Sequence, residues 1–303
     1  MKGLGKGLEE RLRELSSLKG YGKLPLGEGE LYYLDANENL LIPLEELSPI
    51  LLEAAEELDP RIYPRDLEEA FTEALSKKLG IRGEYILLGN GCDELIDLLV
   101  RAFTRRGEEL LTIAPTFSMY RWSAELNGTR YVEVPLEEDF SLNASNLLSH
   151  AGDGMLCILC SPNNPTGNQF RREEVLKVVE GFQGLVAVDE TYSDFASYNL
   201  LEEVGRYENL VILRTFSKTF GLAGLRLGYM VADPKLIETV KGRARLPWSI
   251  NSYVLLVALK LLDRPWIVEK AIETVKRERE RVVEELEGID GICLLYTSPS
   301  PRD

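Results

Sequence analysis

The sequence predicts an α/β fold with a largely parallel central sheet and helices on both of its faces. Three observations carry this expectation. Short β-rich runs alternate with longer segments of helical period along most of the chain. Several of those runs are apolar throughout, as strands covered on both faces are. The chain's 303 residues, 45% hydrophobic and 28% charged, can fill a sizeable core beneath a solvated surface.

In chain order, the strand runs are Tyr85–Leu88, Glu109–Ile113, Thr129–Val134, Met155–Cys160, Leu185–Val188, Leu210–Arg214 and Leu227–Val231. The intervening period predicts helices over Leu67–Leu79, Asp93–Thr104, Phe117–Leu126, Glu173–Gly181 and Pro234–Lys241. Two more helices follow, Asn251–Leu262 and the long, charged Trp266–Glu287. Asp263 is expected to cap the second, with Pro265 in its first turn. Residues 293–303 carry two prolines and neither period, and read as a non-native tail.

Composition excludes several function classes. A net charge of −15 opposes general binding to nucleic acid or to anionic membrane surfaces. One histidine, His150, argues against serine–histidine–aspartate catalysis and against multi-histidine metal sites. The first twenty residues have no apolar signal region, and no apolar run is long enough to span a bilayer, so the expected location is cytoplasmic. Cys157 and Cys160 form a C-x-x-C, but inside a strand run. Positions three apart on a strand face opposite ways, so these thiols read as buried structural residues and not as a metal or redox pair.

Four segments carry chemistry. In Tyr85–Glu94 a strand run meets Gly89-Asn-Gly91 and then a helix, which offers free N–H groups to an anion. Ser161-Pro-Asn-Asn-Pro-Thr-Gly167 follows a strand directly, at the end where α/β sheets bind ligands, and Asn164 offers an amide there. Leu185–Tyr192 ends a strand in Asp189, able to balance a ligand cation, with Tyr192 three residues on. Thr215–Gly228 sets Lys218 after a strand, between Phe216 and Phe220, with Thr215 and Ser217 before it and Arg226 beyond. Desolvation by those rings would favour the neutral amine, which can attack a carbonyl.

These segments, with Leu34-Asp-Ala-Asn-Glu-Asn39, Tyr63-Pro64 and Pro115-Thr-Phe-Ser-Met-Tyr120, resemble the aspartate-aminotransferase-like superfamily of pyridoxal-phosphate enzymes. Within it the chain most resembles the histidinol-phosphate aminotransferase family, from about Tyr21 to Ile292. The resemblance implies a mostly parallel sheet sandwiched by helices and an incomplete small α+β domain. Residues 1–44 would form an N-terminal arm, 45–247 the large cofactor domain and 248–292 the start of the small one.

It also implies a set of roles. Lys218 would carry pyridoxal 5'-phosphate, Asp189 would pair with the pyridine nitrogen, and Tyr192 and Asn164 would bond the ring oxygen. Gly91, Cys92, Asp93, Thr215, Ser217 and Arg226 would hold the phosphate, and Phe117 would stack on the ring. Tyr63 would reach the phosphate of a second subunit, which makes a homodimer. Asn37 and Tyr21 would lie near the substrate. The implied reaction is amino transfer from histidinol phosphate to 2-oxoglutarate, in histidine biosynthesis.

Two departures stand out. The family continues Asn-Glu-Asn with proline and an aromatic, whereas Leu40-Leu-Ile-Pro43 follows here. The family also continues past Ile292 to a substrate-binding arginine that nothing in 293–303 matches. Threonine-phosphate decarboxylase, other class I and II aminotransferases and a non-catalytic cofactor-binding domain are the alternatives.

Overall fold

The structure is a computed structural model that describes residues 6–18, 35–152, 154–291 and 294. Among them, helices α1 (Lys6–Ser17), α2 (Leu44–Glu57) and α3 (Arg65–Leu79) precede the first strand, β1 (Ile86–Gly89). There follow α4 (Cys92–Phe103), β2 (Glu109–Ala114), α5 (Met119–Asn127), β3 (Arg130–Pro135), α6 (Ala144–Ser149), β4 (Leu156–Cys160) and α7 (Arg172–Gly181). The chain continues through β5 (Leu185–Asp189), β6 (Leu210–Thr215), β7 (Gly228–Val231), α8 (Pro234–Arg243), α9 (Ser252–Leu262) and α10 (Pro265–Glu287).

The seven strands form one sheet in the order β1-β7-β6-β5-β4-β2-β3. Pairings among β6, β5, β4, β2 and β3 are parallel, and β7 runs antiparallel to both of its neighbours. The expectation of a largely parallel sheet therefore holds, with one reversed strand. The reversal has a simple cause. A loop joins β6 to β7 with no crossover helix, and such a connection returns the chain antiparallel. The carboxyl ends of β1, β4, β5 and β6 and the amino end of β7 thus meet at one edge. The register shows it: Gly89 pairs with Gly228, Gly228 with Thr215, and Asp189 with both Leu213 and Cys160.

Strand side chains alternate between two cores. Cys157 and Leu159 join the cluster under α2, α3, α7 and α9, with Ile50, Phe71, Leu75, Val178 and Leu255. Ile158 and Cys160 join the cluster under α4, α5 and α8, with Leu95, Leu99, Tyr120 and Ile237. The two thiols of the C-x-x-C accordingly lie on opposite faces of the sheet, both buried. Among the described residues, no helix is long and apolar enough to cross a membrane.

The structure corrects one expected cap. Asp263 adopts αR geometry at the end of α9, and its N–H bonds the Leu259 carbonyl. An N-cap needs extended backbone. The N-cap of α10 is Arg264, without a side-chain bond, although Pro265 does stand in the first turn. The buried side chains of α10 are Ile267, Val268, Ala271 and Val275, all in its first half. Tyr21 and the expected tail, apart from Leu294, lie outside the described residues.

Candidate active site

The site grows from the shared sheet edge. After β1, Gly91 takes φ +84 as the N-cap of α4, a conformation that side chains disfavour. Gly228, first in β7, lies against that turn. A Cβ there would meet the Cys92 nitrogen and the Gly91 carbonyl carbon at 2.8 Å each, and the Arg214 oxygen at 3.1 Å. The absence of a side chain lets β7 approach the start of α4. Arg226 arrives from the other side, in left-handed backbone at φ +58. Its guanidinium donates to Asp93 Oδ2 at 2.6 Å and to Ser217 Oγ at 3.3 Å. Ser217 N in turn donates to Thr215 Oγ1 at 3.0 Å. The result is a cup of helix N–H groups, two hydroxyls and one guanidinium, which suits a dianionic phosphate.

Asp189 ends β5 with 3% of its surface exposed. Its Oδ2 accepts from the Tyr120 hydroxyl at 2.9 Å and its Oδ1 from the Thr191 N–H at 3.0 Å. Burial pushes this carboxyl above the ordinary aspartate range, while the bonds from Thr191 and Tyr120 pull it back. The arrangement is a buried acceptor aimed at a cationic or N–H group. Phe117 stands edge-on to Tyr120, with ring centroids 5.7 Å apart. Cys92 is buried beside it, and burial together with Asp189 pushes its thiol well up. Cys92 therefore serves the cup as backbone and packing, not as a nucleophile.

Lys218 is half-buried, less enclosed than its flanking phenylalanines suggest, although Phe216 and Phe220 are themselves buried. Its Nζ donates to the Ala36 carbonyl at 2.5 Å. The segment around Ala36 crosses the site. Asn37, at φ +50, donates to the Tyr192 hydroxyl at 3.1 Å, and Asn39 Nδ2 donates to the Thr219 carbonyl at 2.9 Å. The structure thus brings Asn37, Gly91, Cys92, Asp93, Phe117, Asp189, Tyr192, Thr215, Ser217, Lys218 and Arg226 to one sheet edge. Asn164 is half-buried in the loop after β4, beside β5.

Tyr63 stands elsewhere. It is 63% exposed and stacked on Trp248, with centroids 4.6 Å apart. His150 is exposed at the end of α6, where its Nδ1 meets the Asn146 carbonyl. Sequence reasoning gave no role to Tyr120 or to the Ala36 carbonyl. Tyr120 had a legible signal, since it lies three residues after Phe117, in the first turn of a helix packed on the sheet. A backbone carbonyl leaves none.

Comparison with known proteins follows the same outline. The family "Aminotransferase class I and II" matches residues 22–298. A histidinol-phosphate aminotransferase of Pyrococcus furiosus is 39% identical over 250 residues, covering 82% of this chain and 73% of that protein. The structure of histidinol-phosphate aminotransferase from Sinorhizobium meliloti, solved in complex with pyridoxal-5'-phosphate, gives a TM-score of 0.76 at 24% identity. It covers 83% of this chain and 69% of that one. A Thermus thermophilus aspartate aminotransferase double mutant gives 0.78 at 19% identity, over 98% and 83%. The last two are likenesses of fold.

Proposed function

The chain belongs to the class I and II aminotransferases, and from that premise we propose that it moves an amino group from histidinol phosphate to 2-oxoglutarate on pyridoxal 5'-phosphate. One observation carries the reading. A phosphate cup, a buried carboxylate and a lysine amine converge at one sheet edge.

The residues fit the cofactor. A Cβ at Gly91 would meet the Arg226 guanidinium at 2.6 Å, so the glycine keeps the cup open, and the cup's donors suit a phosphate. Cys92 and Asp93 contribute N–H groups at the helix start, and Arg226 can exchange Asp93 for phosphate oxygens. Asp189 would pair with the ring nitrogen, Tyr192 and Asn164 would bond the ring oxygen, and Phe117 would stack on the ring. When bound, the cofactor supplies a carbonyl that takes up amino groups and a ring that withdraws electrons from the neighbouring carbon.

The protein supplies position and protons. The Asp189 carboxylate, held by Tyr120 and Thr191, would hold a positive charge on the ring nitrogen. The Lys218 amine would take the proton from the amine-bearing carbon of the substrate and hand it to the cofactor carbon that receives the amino group, and would make the same transfer in reverse for the 2-oxo acid. Asn37, bonded to the Tyr192 hydroxyl, would border the substrate side.

Tyr63 serves a second copy of the chain in this reading, as part of a homodimer. Exposed Ile62, Tyr63, Leu246 and Trp248 supply apolar surface for such a contact. Tyr21 would join Asn37 near the substrate. The protein would act in the cytoplasm, in histidine biosynthesis. The test is glutamate formation from 2-oxoglutarate with histidinol phosphate as donor. Carbon dioxide release from threonine phosphate without glutamate formation would overturn it.

A further inference from the structure

The side chains of two charged residues beside the site make no hydrogen bond to the groups just described. Glu190 and Arg214 are 3% and 9% exposed. Arg214 Nε and Nη2 both donate to Glu190 Oε2, at 3.0 and 2.6 Å. Glu190 Oε1 accepts the Leu200 N–H at 2.7 Å. Such a pair costs desolvation on folding and is weak grounds for stability by itself.

Its place is informative. Neighbours along a strand face opposite ways. Asp189 meets Tyr120 in one core, whereas Glu190 and Arg214 line a cavity of about 50 Å³ on the other side, with Leu75, Phe220 and Tyr229. The pair shares that cavity with Thr191, whose N–H holds Asp189, and with Thr215, while its own side-chain bonds are to each other and to the Leu200 N–H. The β5–β6 ladder also stops early. Its last paired residues are Asp189 and Leu213, and the Glu190 N–H to Leu213 carbonyl bond at 2.9 Å closes it. β6 runs on through Arg214 to Thr215, toward Lys218, with only β7 beside it. The ion pair spans the gap just past the last rung.

We propose that Glu190 and Arg214 are positioning residues whose buried fork clamps the Asp189 end of β5 to the Thr215–Lys218 end of β6. The inference rests on the cofactor reading for its consequence. The clamp sets the distance between the Asp189 carboxylate and the Lys218 amine, the two groups that would flank the cofactor. A misplacement of about 1 Å at such a site costs roughly 100-fold in rate.

The test replaces both charges by apolar side chains, Glu190→Leu with Arg214→Met, because removing one partner alone strands a buried charge. Arg214→Lys is the second variant, which keeps the cation and loses the two-pronged geometry. In the folded holoenzyme, kcat falls about 10- to 100-fold while KM changes less than about threefold. The pH midpoint of the bound cofactor's visible absorbance shifts in both variants. Wild-type kcat and an unmoved midpoint in either folded variant overturn the proposal, and so does a lost kcat with an unmoved midpoint. If the double variant does not fold, Arg214→Lys decides. If wild type shows no cofactor band, the cofactor reading is what fails. Amide exchange at Glu190 and Thr191 then decides the clamp: faster exchange in the variants supports it, and unchanged exchange overturns it.

Discussion

Gly228→Ala is the sharpest small perturbation of the cup. The added methyl would sit 2.8 Å from the Cys92 nitrogen and the Gly91 carbonyl carbon, and 3.1 Å from the Arg214 oxygen. All three are backbone atoms, so no side chain can rotate away. β7 or the start of α4 must shift. Overpacking of this kind costs about 1–3 kcal/mol. At about 2–4 °C per kcal/mol for domains somewhat smaller than this one, Tm falls by roughly 2–10 °C. The shift also moves the α4 N–H groups proposed to bind the phosphate. Losing one bond to a charged group costs about 1.5–3 kcal/mol, so cofactor affinity falls roughly 10- to 100-fold. Thermal melting of the cofactor-free protein and an absorbance titration with pyridoxal phosphate measure the two effects. Gly224→Ala is the control, since its Cβ meets nothing within 4 Å. A Gly228→Ala protein with wild-type Tm and wild-type affinity would refute the assignment of this contact to the cup.

Asp189→Asn separates stability from function. Burial raises the proton affinity of this carboxyl on folding, so the native state binds more protons than the unfolded one. Its penalty is absent below the unfolded pKa and fully present above the folded one. At neutral pH the Asn variant, without cofactor, therefore melts higher than wild type by calorimetry, yet loses about 100- to 1000-fold in turnover. Cys157 and Cys160 are buried and burial pushes both thiols far up, so iodoacetamide leaves them unlabelled in native protein and modifies them in denaturant, as peptide mass mapping would show. Mixing Tyr63→Ala and Lys218→Ala subunits restores activity above that of either parent if Tyr63 serves the partner's site. No recovery on mixing argues for separate sites.

Much of the architecture was legible because buried strands announce themselves. Leu156–Cys160, Leu185–Asp189 and Leu210–Thr215 are apolar runs bounded by loops, and their ends carry Asp189 and lead to Lys218. Three helices were not legible. Pro49 lies inside α2 and breaks the helical reading, although the helix forms and buries Ile50 and Ala54. α6 is six residues long, too short for a period, and its signal is the Asn143 cap bonding the Asn146 N–H. α1 has no buried residue, so no core face marks it. The reversal of β7 is set by the β6–β7 connection, not by composition. Around the site, Asp189 and Lys218 stood out by chemistry, while the Ala36 carbonyl and the Glu190–Arg214 fork depend on where the sheet places neighbours.

The account rests on Lys218 as the amine that carries the cofactor, and one measurement addresses it directly. The protein is incubated with pyridoxal phosphate, treated with borohydride to make the link permanent, digested and mapped by mass spectrometry. The account predicts the cofactor mass on the peptide containing Lys218, and its loss in Lys218→Ala. Attachment at another lysine, or an unchanged map in Lys218→Ala, would contradict it.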